Sequence, residues 1–349
     1  MTRAADHERA AGPGRASRRS VLKTAGTLAA GSALAMPLIG RFSGALAAWP
    51  ERPIKLLVPF GPGGPVDVIA RVIAQPLSEA LGGASVVIEN RAGASGNLGV
   101  GLAARADPDG YTVLVTSNTL VINPLLFTNV PYDIERDFTP LVDLAGSPTG
   151  FAVLPKLGPK TLAELVALAK QPGNTFSYSH AGYGTPAHLA GELFKARAGI
   201  DMAAVSHTGA GPAAQALISG AVEFCSAALP GLHPHIVGGT VTGLAVTGEK
   251  RWFDLPNVPT VIEAGYPGFV LDTYTMLLVP SKTPPEIGER LATETIAILQ
   301  RPALRDRLRT VGFEATAAGP AALKARIARE LPMWREVASV AGIKPQEAK

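Results

Sequence analysis

A single cysteine, Cys225, stands in 349 residues, so no disulfide can form within the chain and its stability must come from buried cores. Long apolar runs are also missing. Beyond residue 48 none is long enough to cross a bilayer, which takes about 20 residues. Repeats and low-complexity tracts are absent. So is any surplus of positive charge once the N-terminus is set apart. The whole chain carries 32 Lys+Arg against 28 Asp+Glu, but residues 1–47 hold seven of the former and two of the latter, which leaves 25 against 26. A net charge near zero removes the electrostatic case for nucleic acid or an anionic membrane surface.

Signatures of catalysis and of cofactors are missing as well. There is no Gly-x-Ser-x-Gly elbow, no His-Glu-x-x-His, no Gly-Lys-Ser/Thr ending for a phosphate loop and no G-x-G-x-x-G. Cys225 falls in an apolar strand pattern, where a buried and inert thiol is expected. His233-Pro234-His235 has the look of half a metal site. No acidic residue or cysteine lies close in sequence to complete it, so a structural or surface role is read for both rings. Neither a metal nor a cofactor is expected.

What is present begins with an export address. Ser17-Arg18-Arg19-Ser20-Val21-Leu22-Lys23 precedes an uncharged stretch over 24–40, then Arg41 and Ala45-Leu46-Ala47. A charged region, a short apolar core and a small-x-small site make a cleaved signal peptide, and the paired arginines make it a twin-arginine one. The stretch is rich in Ala, Gly and Thr and stops at Arg41, which disfavours an uncleaved anchor. The expected location is the periplasm.

The remaining chain of about 300 residues exceeds the size at which one core stops growing. Strands are expected at 54–59, 85–89, 112–116, 151–154, 175–178, 204–207, 222–226, 243–247 and 274–279. Helical patterns at 66–81, 161–170, 186–198 and 212–219 alternate with them, which indicates βαβ units and mainly parallel sheets. After residue 279 the pattern reads as purely helical, over 285–299, 303–311 and 321–340. Such a tail is expected to pack back on an earlier domain. Pro76 lies inside the first helical pattern, so that helix either kinks there or a second one starts.

Three loops after strands carry the suggestive chemistry. Pro59-Phe60-Gly61-Pro62-Gly63-Gly64-Pro65-Val66-Asp67 leaves amides uncovered by side chains at a helix start, where an anion is favoured. A tight turn without a ligand is the plainer reading of that loop alone. Glu89-Asn90-Arg91-Ala92-Gly93-Ala94-Ser95-Gly96-Asn97 adds small hydroxyl and amide groups suited to a carboxylate. In Ser179-His180-Ala181-Gly182-Tyr183-Gly184-Thr185-Pro186, Thr185 is placed as an N-cap with Pro186 at the first helical position. His188, one turn further, reads as a packing residue more readily than as a ligand contact. Together, without a nucleophile or metal cluster nearby, the loops favour anion capture over catalysis.

At this point the residues resemble a known family. Pro59 to Gly64 with Asp67, Glu89-Asn90-Arg91, Gly96-Asn97, Pro108-Asp109-Gly110-Tyr111-Thr112 and Ile122-Asn123-Pro124 resemble the Bug-type receptors of tripartite tricarboxylate transporters. Asp137-Phe138, Gly182-Tyr183-Gly184-Thr185, Leu229-Pro230, Val258-Pro259-Thr260 and Ala341-Gly342-Ile343-Lys344-Pro345 continue the likeness in order, from Trp49 to Pro345.

The resemblance implies a type II periplasmic-binding-protein (Venus flytrap) fold, with two α/β domains closing over a small carboxylate. It implies a first domain made of 49–148 plus 272–349 and a second of 149–271, with hinge crossings near 147–149 and 271–273. The ligand would pass to membrane permease subunits, and the receptor would act as a monomer without enzymatic activity. Alternatives are presentation of the ligand to a sensor kinase, or a periplasmic hydrolase. Transferred by motif, the ligand residues are Phe60, Gly63, Gly64, Asp67, Ser95, Asn97, Ser117, Asn118, His180, Gly184, Thr185 and Tyr274.

Departures from the family pattern bear on specificity. Val66 stands where a small polar residue is usual, and Tyr274 where tryptophan is frequent. His180 replaces a serine-like residue and would add a switchable positive charge. Ala227 stands where an acid is frequent, which argues against a ligand amine and for an unaminated carboxylate, aromatic acids included.

Overall fold

The computed structural model describes residues 49–347, so the twin-arginine leader expected over 1–47 lies outside the described residues. In chain order, β1 (Ile54–Val58), α1 (Pro65–Ala80), β2 (Val86–Asn90), α2 (Asn97–Ala104), β3 (Thr112–Ser117), α3 (Thr119–Leu126) and α4 (Ile134–Asp137) lead to β4 (Phe138–Ser147). The next stretch holds β5 (Thr149–Val153), α5 (Leu162–Ala169), β6 (Phe176–His180), α6 (Pro186–Ala198), β7 (Met202–Ser206) and α7 (Ala210–Ile218). It closes with β8 (Phe224–Ala228), α8 (Leu229–Val237) and β9 (Thr242–Val246). Last come β10 (Thr273–Pro280), α9 (Pro285–Leu299), α10 (Pro302–Thr310), β11 (Glu314–Ala318) and α11 (Pro320–Val340).

Two sheets result, ordered β2-β1-β3-β10-β4-β11 and β7-β6-β8-β5-β9. Both follow one plan. Three strands run parallel, β2-β1-β3 in one sheet and β7-β6-β8 in the other. Beside them lies a strand that has just arrived from the other sheet, β10 or β5, and it runs antiparallel to both neighbours. The sheets are therefore mixed, which corrects the expectation of mainly parallel ones. Alternation along the sequence reveals local βαβ units, whereas β5 and β10 take their direction from long-range connections.

The two incoming strands are buried along their whole length, as strands flanked on both sides and covered on both faces must be. The chain passes between sheets at Pro148 and again just before Thr273. Thr247 ties the passages together. Its Oγ1 accepts the Thr149 N–H at 2.9 Å and donates to the Leu271 carbonyl at 2.9 Å.

β4 and β11 were not expected as strands. Pro140 and Asp143 interrupt the apolar pattern of β4, yet Pro140 lies outside the stretch that pairs with β11 and faces only β10, where a missing N–H is tolerated. β11 is a short edge of small residues between α10 and α11, so the tail is not purely helical. Residues 65–80 form one helix that runs through Pro76 without a break.

Candidate functional site

Loops at the carboxyl ends of the parallel strands of both sheets face one another, the position where open α/β sheets take their ligands. In the first loop Asp67, on the opening turn of α1, is fully buried and points back under the glycines. Its Oδ2 accepts the Gly63 N–H at 2.8 Å, and its Oδ1 accepts from Asn90 Nδ2 at 2.9 Å. Arg71 closes the group with two further bonds, at 2.8 and 3.0 Å. Burial alone would raise the Asp67 carboxyl, but Arg71, the Gly63 amide and Asn90 outweigh it and hold the group below its ordinary value. Gly63 takes a left-handed φ of 80° to make this turn.

The second loop turns through four successive positive φ values, at Gly93, Ala94, Ser95 and Gly96. Ala94 and Ser95 carry side chains at φ 48° and 55°, a strain of about 1–3 kcal/mol each that surrounding contacts must hold in place. Asn123 supplies them. Its Nδ2 donates to the Ser95 carbonyl at 2.9 Å and to Asn97 Oδ1 at 2.8 Å.

In the third loop Thr185 caps α6, its Oγ1 accepting the His188 N–H at 3.3 Å and donating to the Gly182 carbonyl at 2.8 Å. His188 and His180 stack behind it with ring centroids 4.3 Å apart. Burial first, then the neighbouring His188, brings the His180 imidazole down to about 4. Burial and Lys195 do the same to His188. Both rings are neutral at physiological pH. His180 therefore does not bring the switchable charge that its position in the sequence suggested.

Between these loops lies a cavity of about 560 Å³. Of the residues expected at the ligand, Phe60, Gly64, Ser95, Ser117 and Thr185 line it. The other seven do not line it: Asp67, Asn97, Asn118, His180, Gly184 and Tyr274 are buried, and Gly63 is exposed on the loop between Pro62 and Gly64. Gly63 spends its amide on Asp67, and Asn97 braces Asn123. Asn118 Nδ2 donates to the Asp272 carbonyl at the second passage. Gly184 packs its N–H on His188 Nδ1, and His180 is buried against His188. Tyr274 is fully buried with the Arg326 guanidinium 3.5 Å over its ring.

The loop after β7 also borders the cavity, beyond the three expected from the sequence. His207, Thr208 and Gly209 line the cavity, as do Thr119, Tyr183 and Thr273. Its signal was legible, since Thr208-Gly209-Ala210-Gly211-Pro212 repeats the strand, glycine, proline, helix pattern of the other loops. No Lys, Arg, Asp or Glu is among the lining residues; hydroxyls, backbone amides and apolar side chains make the wall.

The other candidates fall elsewhere. Cys225 is buried in β8 and burial pushes its thiol up to about 12, so it is inert. His233 lies on α8 and meets Asp254 at 2.8 Å, an acid 21 residues away in sequence. Among the described residues no group of three or more His, Cys, Asp or Glu could hold a metal ion.

Two sheets of one plan, with an uncharged cavity between their loops, define the fold of periplasmic binding proteins. The family model described as "Tripartite tricarboxylate transporter family receptor" matches residues 69–342, and the chain belongs to that family. Protein BugT of Bordetella pertussis is 34% identical over 298 residues, 85% of this chain and 91% of BugT. Among solved structures, R. palustris Rpa4515 with adipate is 35% identical with a TM-score of 0.80, covering 85% of this chain and 100% of that one. The periplasmic binding protein BugD is 31% identical with a TM-score of 0.77, covering 85% and 100%. MatC from Rhodopseudomonas palustris with bound malate is 30% identical with a TM-score of 0.74, covering 83% and 99%.

Proposed function

We propose that this chain is a periplasmic receptor that captures a small carboxylate in the cavity between its two sheets and delivers it to a membrane permease. One observation carries the reading: the cavity offers hydroxyls and the starts of helices, with no Lys or Arg among the residues that line it. A carboxylate suits such a wall, because uncovered N–H groups at helix starts favour an anion by a few tenths to about 2 kcal/mol each. Relatives solved with adipate and with malate support the same ligand class.

The division of labour follows the passages. Residues 49–148 with 272–349 would form one lobe and 149–271 the other, hinged at Pro148 and Asp272. Phe60, Gly64, Ser95, Ser117 and Thr185 would meet the ligand, and Gly63, Asp67, Asn97, Asn118, His180, Gly184 and Tyr274 would hold that wall in shape. The receptor would be exported by the twin-arginine route, work as a monomer and bind without turning its ligand over.

A thermal-shift screen of mono-, di- and tricarboxylates on the purified protein tests this. A ligand at 100 times its Kd adds about 2.7 kcal/mol to stability. Selective upward shifts with a few carboxylates are expected. A flat response across the panel, or hydrolysis of an ester or amide by the same preparation, would overturn the reading.

A further inference from the structure

The cavity poses a question of charge that backbone donors leave open, since helix starts attract one carboxylate about as well as the next. Among the lining residues two can titrate, Tyr183 and His207, and only His207 can become a cation. It lies between β7 and α7, in the loop that borders the cavity opposite the first two glycine loops.

Its ring is held in place. Nδ1 sits 3.1 Å from the Val205 carbonyl, a contact that requires Nδ1 to carry the proton, and the backbone N–H donates to the His180 carbonyl at 2.9 Å. Nε2 is left without a partner among the described residues. The ring is half-buried, so it is neither fixed in a core nor free in solvent.

The surroundings offer that ring no carboxylate in the cavity. On β6, on α6 and in the loop between them the nearby titratable groups are His180 and His188, both neutral, with Tyr178 and Tyr183. Glu192 on α6 is already engaged by the Tyr178 hydroxyl and by Lys195. β7 and α7 carry no ionisable side chain at all, and across the cavity no lining residue is charged. A protonated His207 would therefore have no carboxylate of the protein as its partner in the cavity.

We infer that His207 sets the charge preference of the receptor: its Nε2 receives a second carboxylate of the ligand, so that dianions are selected over monoanions of the same length. This rests on the proposed carboxylate reading of the cavity. The imidazolium pairs with the second carboxylate by a charge-assisted hydrogen bond, and the neutral ring cannot, because Nε2 then lacks a proton to donate.

The test titrates the protein calorimetrically with adipate and with its monomethyl ester, at pH 5.5 and pH 8, which spans the range where imidazole loses its proton. In the wild type adipate is expected to bind at least tenfold tighter than the monoester at pH 5.5, with the ratio shrinking at pH 8. His207→Gln is expected to bring the ratio near one at both pH values. His207→Lys, a cation at both, is expected to keep the ratio high at pH 8. The same ratio in the wild type and His207→Gln, with adipate bound by both, would overturn the role of His207 and leave the carboxylate reading standing. A wild type that binds a monocarboxylate but no straight-chain diacid would overturn the inference and leave the carboxylate reading standing, and one that binds no carboxylate at all would overturn both.

Discussion

The carboxylate of Asp67 accepts the Gly63 amide at 2.8 Å, so a buried side chain of the protein, and not a ligand, holds the turn of the first glycine loop. The same carboxylate gathers Asn90 and Arg71. Asp67→Ala leaves the Gly63 N–H and the Asn90 amide short of an acceptor, at about 1–3 kcal/mol for each buried group left unpaired. A fall in Tm and at least a tenfold loss of ligand affinity are expected together. Unchanged affinity at reduced Tm would show that the loop keeps its shape without this bond. The folded value of Asp67 lies below its ordinary 3.8, so its contribution is complete above that pH and fades as pH falls through the folded value.

The stacked pair His180 and His188 makes stability sensitive to mild acid. Both imidazoles lie near 4 when folded, against an ordinary value of 6.5. Between those values the unfolded chain binds more protons, so stability falls as pH drops through that window, by at most about 1.4 kcal/mol per pH unit for each ring. Urea unfolding at pH 7, 6 and 5 checks the slope. His188→Gln is expected to flatten it. A wild-type slope unchanged by that variant would mean that other groups carry the acid sensitivity.

Arg326 on α11 binds Asp143 of β4 at 2.7 Å and Glu330 at 2.8 Å, and lies over the ring of Tyr274. Asp143 is 2% exposed, and burial raises its carboxyl despite the nearby arginine. Arg326→Met is expected to cost about 3–5 kcal/mol, because it strands a buried charge. Adding Asp143→Leu should recover part of the loss. Chemical denaturation of the single and double variants measures both.

The proposed closure of the two lobes can be probed away from the cavity. A Cβ on Gly312 would come within 2.9 Å of the Pro230 ring, where φ is also 83°, and these two residues belong to opposite lobes of the proposed division. Tyr183 makes a second contact across that division, its hydroxyl donating to the Lys344 carbonyl at 3.1 Å. Gly312→Val is expected to weaken ligand binding several-fold and to enlarge the radius of gyration in small-angle scattering with ligand present. Equal affinity and equal radius would remove the contact from any part in closure.

Much of this architecture was legible in the sequence because it is locally encoded. Thr185-Pro186 announced a helix start, and Cys225 announced a buried strand. The parts that were not legible depend on partners distant in the chain. β4 is a strand because β10 comes back to pair with it, and β11 exists only as an edge on β4. The same holds within the site. Motif position brought Asp67, Asn97 and His180 to the neighbourhood of the cavity, while hydrogen bonds to Gly63, Asn123 and Gly182 turn them away from it. The loop after β7 carries the same glycine–proline pattern as the others, but nothing local to the sequence marks His207 within it.

Carboxylate capture without a cationic lysine or arginine is tested most directly by calorimetric titration with an acid selected in the thermal-shift screen and with its full methyl ester. The acid is expected to bind with micromolar Kd, roughly −8 kcal/mol, and the ester at least a hundredfold more weakly. Thr185→Val, which removes the cap oxygen at the start of α6, should narrow that gap. Acid and ester binding equally well would mean that the cavity holds its ligand by something other than the carboxylate.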